Sequence, residues 1–375
     1  MKKIIAIACY VFCFIQANAQ DQKCGASDIM NVKGKWVTGD DNIVNPEKTF
    51  PRNQYNQLYT RIDKIATKFQ QAYTQPIGMQ AKWYRSVREA AVVKNGPIPY
   101  QFNSLYQGWY CNQNLHKLML ASETGTWAFV WVNSFGWFMT DQYDKASITI
   151  EGVVAYMLPR KIGEWKGFSL YEPSALAKRN KAVLITRNNQ LPYRPVSRLQ
   201  FLQSIKIKVE GQKKEQIDAE RKQPVRTDAE EEEAKRKGLA AYSKQTPGHD
   251  ASYLKNYKTA KQLKEEDIER TENYFNDRLK PIDDALNSQD KDALQQPAIV
   301  DNNYISFFKK FTTEEKGGRM MVFVNNDYFN TKLPRSAPQL IVLYWSWDKN
   351  GAALNFNKAM EENFPVDKLK EMIDK

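Results

Sequence analysis

Beyond its first nineteen residues this chain has no apolar run longer than a β-strand. The two richest, Trp127 to Val132 and Leu340 to Tyr344, carry no charge, yet they fall far short of the roughly 20 residues that cross a bilayer as a helix. Short runs that are charge-free on both faces and rich in aromatic and β-branched residues suit the middle of a sheet covered on both sides. The covering helices are also legible. Tyr55, Leu58, Tyr59, Ile62, Ile65, Ala66, Phe69 and Tyr73 recur at spacings of three and four, which places them on one face of a helix. Ile268, Thr271, Phe275, Leu279, Ile282 and Leu286 repeat the pattern, with Pro281 as a kink or restart. The fold class expected is α+β, a mixed sheet packed by amphipathic helices, with a charged helical excursion in the middle of the chain.

That excursion spans Lys206 to Lys244, where apolar residues are sparse and Pro224 interrupts any continuous helix. It cannot bury a core face, so it is either a solvated helical segment or partly disordered. Before it, Ser197 is placed to cap a short helix, Arg198 to Ser204. Asn188-Asn189, between the apolar segments 182–186 and 193–196, reads as a hairpin turn. Further strands are expected at 147–157, 320–325 and 340–347, and a terminal helix at 366–373 with Leu369 and Ile373 inward. The domain boundaries that follow are a signal peptide (1–19), a polar arm (20–50), an N-terminal α+β domain (51–205), a charged helical region (206–298) and a C-terminal β/α part (299–375) packed on the N-terminal domain.

The opening residues point to export. Met1-Lys2-Lys3 is basic, Ile4 to Ile15 is apolar without a charge, and Ala17-Asn18-Ala19 has the small-x-small pattern of a signal-peptidase site. Cleavage before Gln20 leaves a chain of periplasmic, outer-surface or extracellular location, without a transmembrane segment. It retains two cysteines, Cys24 and Cys111, which either form one disulfide closing a long loop or remain separate thiols.

Most familiar chemistries lack their residues. Two histidines and two retained cysteines offer no closely spaced zinc pair, so no metal is expected, and the absence of any G-x-G-x-x-G or G-x-x-x-x-G-K-[ST] run leaves no expected nucleotide cofactor. The one enzymatic pairing worth naming is Cys111 with His249, 138 residues apart in the order of a papain-like thiolate and imidazole. The local signature is missing, because Gly108-Trp109-Tyr110-Cys111-Asn112 departs from C-G-[SA]-C-[WY].

Binding has more candidates. The formal charge is +12, and residues 178–226 hold thirteen Lys or Arg against four acids, a density that attracts anionic glycans or lipid surfaces. Arg187, Arg194 and Arg198 bracket the expected turn and helix start. Nucleic acid is the least suited partner, since export removes it and no recognition motif is present. Trp127, Phe129 and Trp131 alternate onto one strand face, where exposed rings would stack on a sugar or peptide and buried rings would fill the core.

The run Leu184-Ile185-Thr186-Arg187, the run Leu191-Pro192-Tyr193-Arg194-Pro195-Val196-Ser197-Arg198, and later Asn326-Asp327-Tyr328-Phe329 with Leu333-Pro334-Arg335-Ser336, resemble segments of uncharacterised secreted proteins of Bacteroidota-type bacteria. The signal ending Ala-Asn-Ala-Gln is similar to theirs. The resemblance implies an envelope or secreted location and carries over no catalytic residue. The function expected is therefore that of an exported, non-enzymatic envelope protein binding an envelope component or a partner protein. The alternative is a hydrolase of envelope polymers, Cys-His or carboxylate based.

Overall fold

The computed structural model describes residues 24–43, 51, 54–87, 90–139, 147–173, 179–288, 290–301 and 307–375. The expected signal segment and its cleavage point lie outside them. In chain order the strands are β1 (Trp36–Thr38), β2 (Asn42–Ile43), β3 (Met79–Val87), β4 (Tyr100–Asn112), β5 (Lys117–Leu120), β6 (Trp127–Val132), β7 (Ser147–Ile150), β8 (Val153–Met157), β9 (Arg160–Trp165), β10 (Phe168–Glu172), β11 (Asn180–Thr186), β12 (Tyr193–Pro195), β13 (Ile299–Val300), β14 (Arg319–Val324) and β15 (Leu340–Ser346). The helices are α1 (Ala26–Asn31), α2 (Tyr55–Ala72), α3 (Arg198–Lys222), α4 (Asp228–Gln245), α5 (Asp250–Asn256), α6 (Ala260–Ser288), α7 (Lys291–Gln295), α8 (Gly351–Asn363) and α9 (Val366–Lys370). The fold is α+β, and among the described residues no helix is long and apolar enough to cross a membrane.

The chain forms two compact units. One is drawn from residues 1–145, 158–194 and 324–375, the other from 146–157 and 195–323. The helical region thus shares its unit with strands that lie on both sides of it in the sequence.

The first unit is built on a ten-stranded sheet ordered β1-β3-β4-β6-β15-β11-β10-β9, with β2 on β3 and β5 on β4. The two charge-free runs are neighbours at its centre, paired antiparallel from Trp127↔Ser346 to Val132↔Ile341. All seven residues of β15 are buried, as expected of a strand with both faces covered. On one face Phe102, Val130, Leu343 and Trp345 meet Leu58, Ile62, Ile65 and Phe69 of α2, together with α8 and α9; Phe69 stacks on Phe102 with ring centroids 4.6 Å apart. Where they are described, the N-terminal residues include an extended segment laid along the sheet. Trp36, Val37 and Thr38 pair in parallel with Ala81, Lys82 and Trp83, and the Trp36 indole N–H donates to the Tyr73 carbonyl at 2.9 Å. Backbone groups of an otherwise polar segment find their partners on the edge of β3, which sequence periodicity does not register.

The second unit holds a five-stranded sheet ordered β12-β14-β8-β7, with β13 on β14. Its core gathers Ile148, Met157, Phe201, Ile205, Phe275 and Met321 among others. Ser197 caps α3 by accepting from the Gln200 N–H, and Gln200 returns to the Ser197 backbone, so the cap stands where the sequence places it. The helix it starts runs to Lys222, well beyond the short segment expected. Pro224 follows its end, because a proline disfavours helical backbone at the residue before it.

The expected hairpin at Asn188-Asn189 does not form. Asn188 adopts φ +44 in a single turn, but β11 pairs with β15 along its whole length and β12 belongs to the smaller sheet. Pairing with the fully buried β15 offers β11 seven residues of ladder, more than a three-residue β12 can supply.

Candidate functional site

The residues proposed from sequence are held mostly by structural contacts. Cys111, near the end of β4, is bonded to Cys24, with Cα atoms 5.7 Å apart across 87 residues of chain. A bonded sulfur has no thiolate to offer, so Cys111 is not a nucleophile in this state. His249 sits in the other unit as the exposed residue before α5 and makes no side-chain cap. With Cys111 held in the disulfide, a His249 imidazole has no thiol there to activate.

Arg187 is only 18% exposed at its side chain and donates from Nε to Asp374 at 2.8 Å and from its guanidinium to the Tyr328 carbonyl at 3.2 Å. Tyr328, pushed up to about 12 by burial, accepts from the Arg187 N–H and donates to the Gln339 carbonyl. Asp374 is further held by its N–H on the Pro338 carbonyl. Arg187 is thus a latch on the C-terminal residues. Arg198 opens α3 with its guanidinium 4.9 Å from the centre of the Phe311 ring, a cation-π seat, while Arg194 lies on the exposed side of β12.

The lysine-rich stretch beyond them is answered by the helix opposite. Along α3 and α6, which run antiparallel, Lys206 reaches Asp283 at 2.6 Å, Lys213 reaches Asn276 at 2.7 Å and Arg221 lies 3.9 Å from Glu272. The reason is in the composition of α6, which carries eight acids against five Lys or Arg. Part of the basic charge counted over 178–226 is thereby met by acids of α6, which a sum over one segment cannot see.

The aromatic strand face is half covered. Trp131 and Phe129 are buried, and Trp137 from the loop after β6 lies 5.7 Å and 5.0 Å from their rings. Gly136 permits this: it has φ +48, and a Cβ there would stand 2.1 Å from the Trp131 ring. Trp127 stays half-exposed, its indole N–H donated to Thr124. These rings pack on one another and on Tyr344, so Trp131 is a core residue.

The outer part of the helical region presents a different surface. Neither α4 nor α5 has a buried residue. Thr227 caps α4 through a reciprocal bond with Glu230, which lowers that carboxyl through the Thr227 N–H. Glu231 accepts from the Tyr257 hydroxyl and from the Ala260 N–H that opens α6; these two bonds hold its carboxyl below the usual range. Tyr242, Tyr253 and Tyr257 form a row with ring centroids 5.4 and 5.7 Å apart. Gly238 on α4 admits the Tyr253 hydroxyl, which would lie 2.1 Å from a Cβ at that position.

Two depressions adjoin here. The first, about 320 Å³, is lined by Tyr242, Ser252, Tyr253, Asn256 and Leu263. The second, about 500 Å³, is lined by Pro224, Val225, Leu263, Asp267 and Thr271 among others. Leu263 is shared by both and is 48% exposed; Val225 and Leu254 are 42% and 46% exposed. Tyrosine, serine and asparagine beside the exposed Leu263 supply rigid aromatic area with adaptable hydrogen bonding, and Glu220, Lys264, Asp267 and Arg270 make the second depression charged. Sequence reasoning missed it, since three tyrosines spaced eleven and four apart in a charged region carry no motif. Among the described residues no group of three His, Cys, Asp or Glu is placed to hold a metal ion. Compared with known protein families, with curated proteins and with solved structures, the chain gives no match.

Proposed function

We propose that this is an exported, non-enzymatic envelope protein that binds a partner protein through the outer end of its helical region. Export is supported by the leader, with its basic start, its apolar run and Ala17-Asn18-Ala19 before Gln20. The binding reading is carried by one observation. The helices α4 and α5, which have no buried residue, and the first turn of α6 gather half-exposed Tyr253 and Tyr257 with exposed Leu263 beside two depressions. Half-exposed aromatic and aliphatic groups gathered in one place mark interaction sites more often than scattered ones do.

The experiment places a photo-crosslinking residue at Leu263 or, as control, at Leu354 of α8, which is also exposed, in protein expressed in its native host. The expected result is one adduct of defined mass at Leu263 and none at Leu354. The partner so identified, once purified, should lose at least tenfold in affinity for the Leu263→Asp chain. Equal adducts at both sites, or none at Leu263, overturn the reading. N-terminal sequencing of the exported protein checks the first half separately and should begin at Gln20.

A further inference from the structure

The outer helices return to the place they leave. The outer ends of α3 and α6 are fastened to each other: Lys264 donates to the Arg221 and Gln223 carbonyls at 2.7 and 2.6 Å, and the Thr271 hydroxyl donates to Glu220 at 2.7 Å. Between those ends the chain departs and comes back through two short links that are not helical, 223–227 and 257–259. Pro224 cannot continue α3, and Gln223, Thr227 and Tyr257 have extended backbone.

What lies between the links is held together from within. A Cβ on Gly238 of α4 would stand 2.1 Å from the Tyr253 hydroxyl of α5, the Tyr242 and Tyr253 rings are 5.4 Å apart, and the Ser243 hydroxyl donates to Asp250. These contacts make α4 and α5 one helical hairpin. Its ties to α6 are few. Neither helix has a buried residue, and among the described residues Glu231 is the one member of 228–256 that hydrogen-bonds to α6, where it accepts from the Ala260 N–H at 3.0 Å. The same carboxylate accepts from the Tyr257 hydroxyl in the second link and lies 3.7 Å from Arg226 in the first. One side chain, 12% exposed, thereby joins both links to the start of α6.

Elements with few buried contacts open at low cost in free energy, and bodies joined by short irregular links move about those links. We infer that the α4–α5 hairpin is a flap that swings on the links 223–227 and 257–259 and is pinned in its closed position by Glu231. The first depression has Tyr242, Ser252, Tyr253 and Asn256 on the flap and Leu263 on α6, so a swing of the flap takes that depression apart. The bearing of the swing on a partner rests on the binding reading given above, whereas the motion itself needs no partner.

The test places spin labels at Lys222, the end of α3, and at Lys255 of α5, both exposed. Pulsed electron paramagnetic resonance on the full chain then reads the distance between them. The expected result is one narrow distribution in the parent. Glu231→Ala removes both hydrogen bonds and should raise the population of a second distance about tenfold or more. Tyr257→Phe, which removes one of the two, should fall between. Both variants should keep the far-ultraviolet circular dichroism of the parent, because the Thr227 cap and the seat of Tyr253 on Gly238 are intact; this separates a swing from melting of α4 and α5. A Glu231→Ala distribution as narrow as that of the parent overturns the inference, and so does a broadened one accompanied by lost helix. A flap found rigid leaves the crosslink at Leu263 as it stands, and a missing crosslink leaves the swing intact, so the two readings fail separately.

Discussion

The ten-stranded sheet and the outer helical region are held by different forces. In the sheet, β15 is buried at every position and Phe102, Val130 and Leu343 are wholly enclosed, so its stability comes from apolar area withdrawn from water. In α4 and α5 nothing is buried. Those elements are held through the Thr227 cap of α4 and the Glu231 bonds to Tyr257 and Ala260. Bonds of that kind are individually worth about 1 kcal/mol. The comparison teaches where each surface is free to serve a partner. Residues committed to a core cannot be offered to another molecule, whereas Leu263 and Tyr253 cost the fold little and remain accessible.

The largest effect that can break this contrast is a truncation in the sheet core. Trp345→Ala removes a fully enclosed ring whose indole N–H donates to Asn357 at 3.0 Å, and it should cost about 3–5 kcal/mol in urea unfolding. Leu263→Asp, in the same measurement, should stay within about 0.5 kcal/mol. Comparable losses at the two positions would erase the distinction drawn above.

A smaller effect is expected at the C-terminal latch. Arg187→Ala leaves Asp374 without its cation and with a carboxylate oxygen already buried and unpartnered. The expected loss is about 1–3 kcal/mol, read by denaturant unfolding, with faster amide exchange at residues 371–375. A variant as stable as the parent would return Arg187 to the list of binding candidates.

The smallest effect sharpens the comparison by sign. Tyr100 is fully enclosed, its hydroxyl has no hydrogen-bond partner among the described residues, and burial raises its pKa; the same cause raises Tyr106 and carries Tyr328 up to about 12. Unfolded tyrosines ionise near 10. Stability held by the protonated, buried forms is therefore complete below pH 10 and is lost as pH climbs through the folded values. Tyr100→Phe should gain about 1 kcal/mol at pH 7 and flatten the fall in stability above pH 10, measured by unfolding at pH 7, 10 and 11. A steeper fall in the variant would contradict the assignment.

Much of the local structure was legible because it rests on local causes. The stripe Leu58, Ile62, Ile65 and Phe69 became the buried face of α2, Ser197 capped α3, and the two charge-free runs became central strands. Pairing was less legible. The segments 320–325 and 340–347 looked alike in sequence, yet β14 joined the smaller sheet while β15 entered the centre of the larger one. Nor does the order of residues show that Lys206 and Arg221 of the basic region meet acids of α6, or that Arg187 pairs with Asp374 near the other end of the chain.

What the chain's sequence determines by itself is the placement of strands, helices, breaks and caps, since these depend on side-chain period and on backbone groups a few residues apart. Tertiary structure alone decided which strands lie side by side, which charges neutralise each other, and which tyrosines and leucines stay outside. Those outcomes depend on contacts between residues far apart in the chain, whose free energies are set by burial and distance and leave no periodic trace in the order of residues.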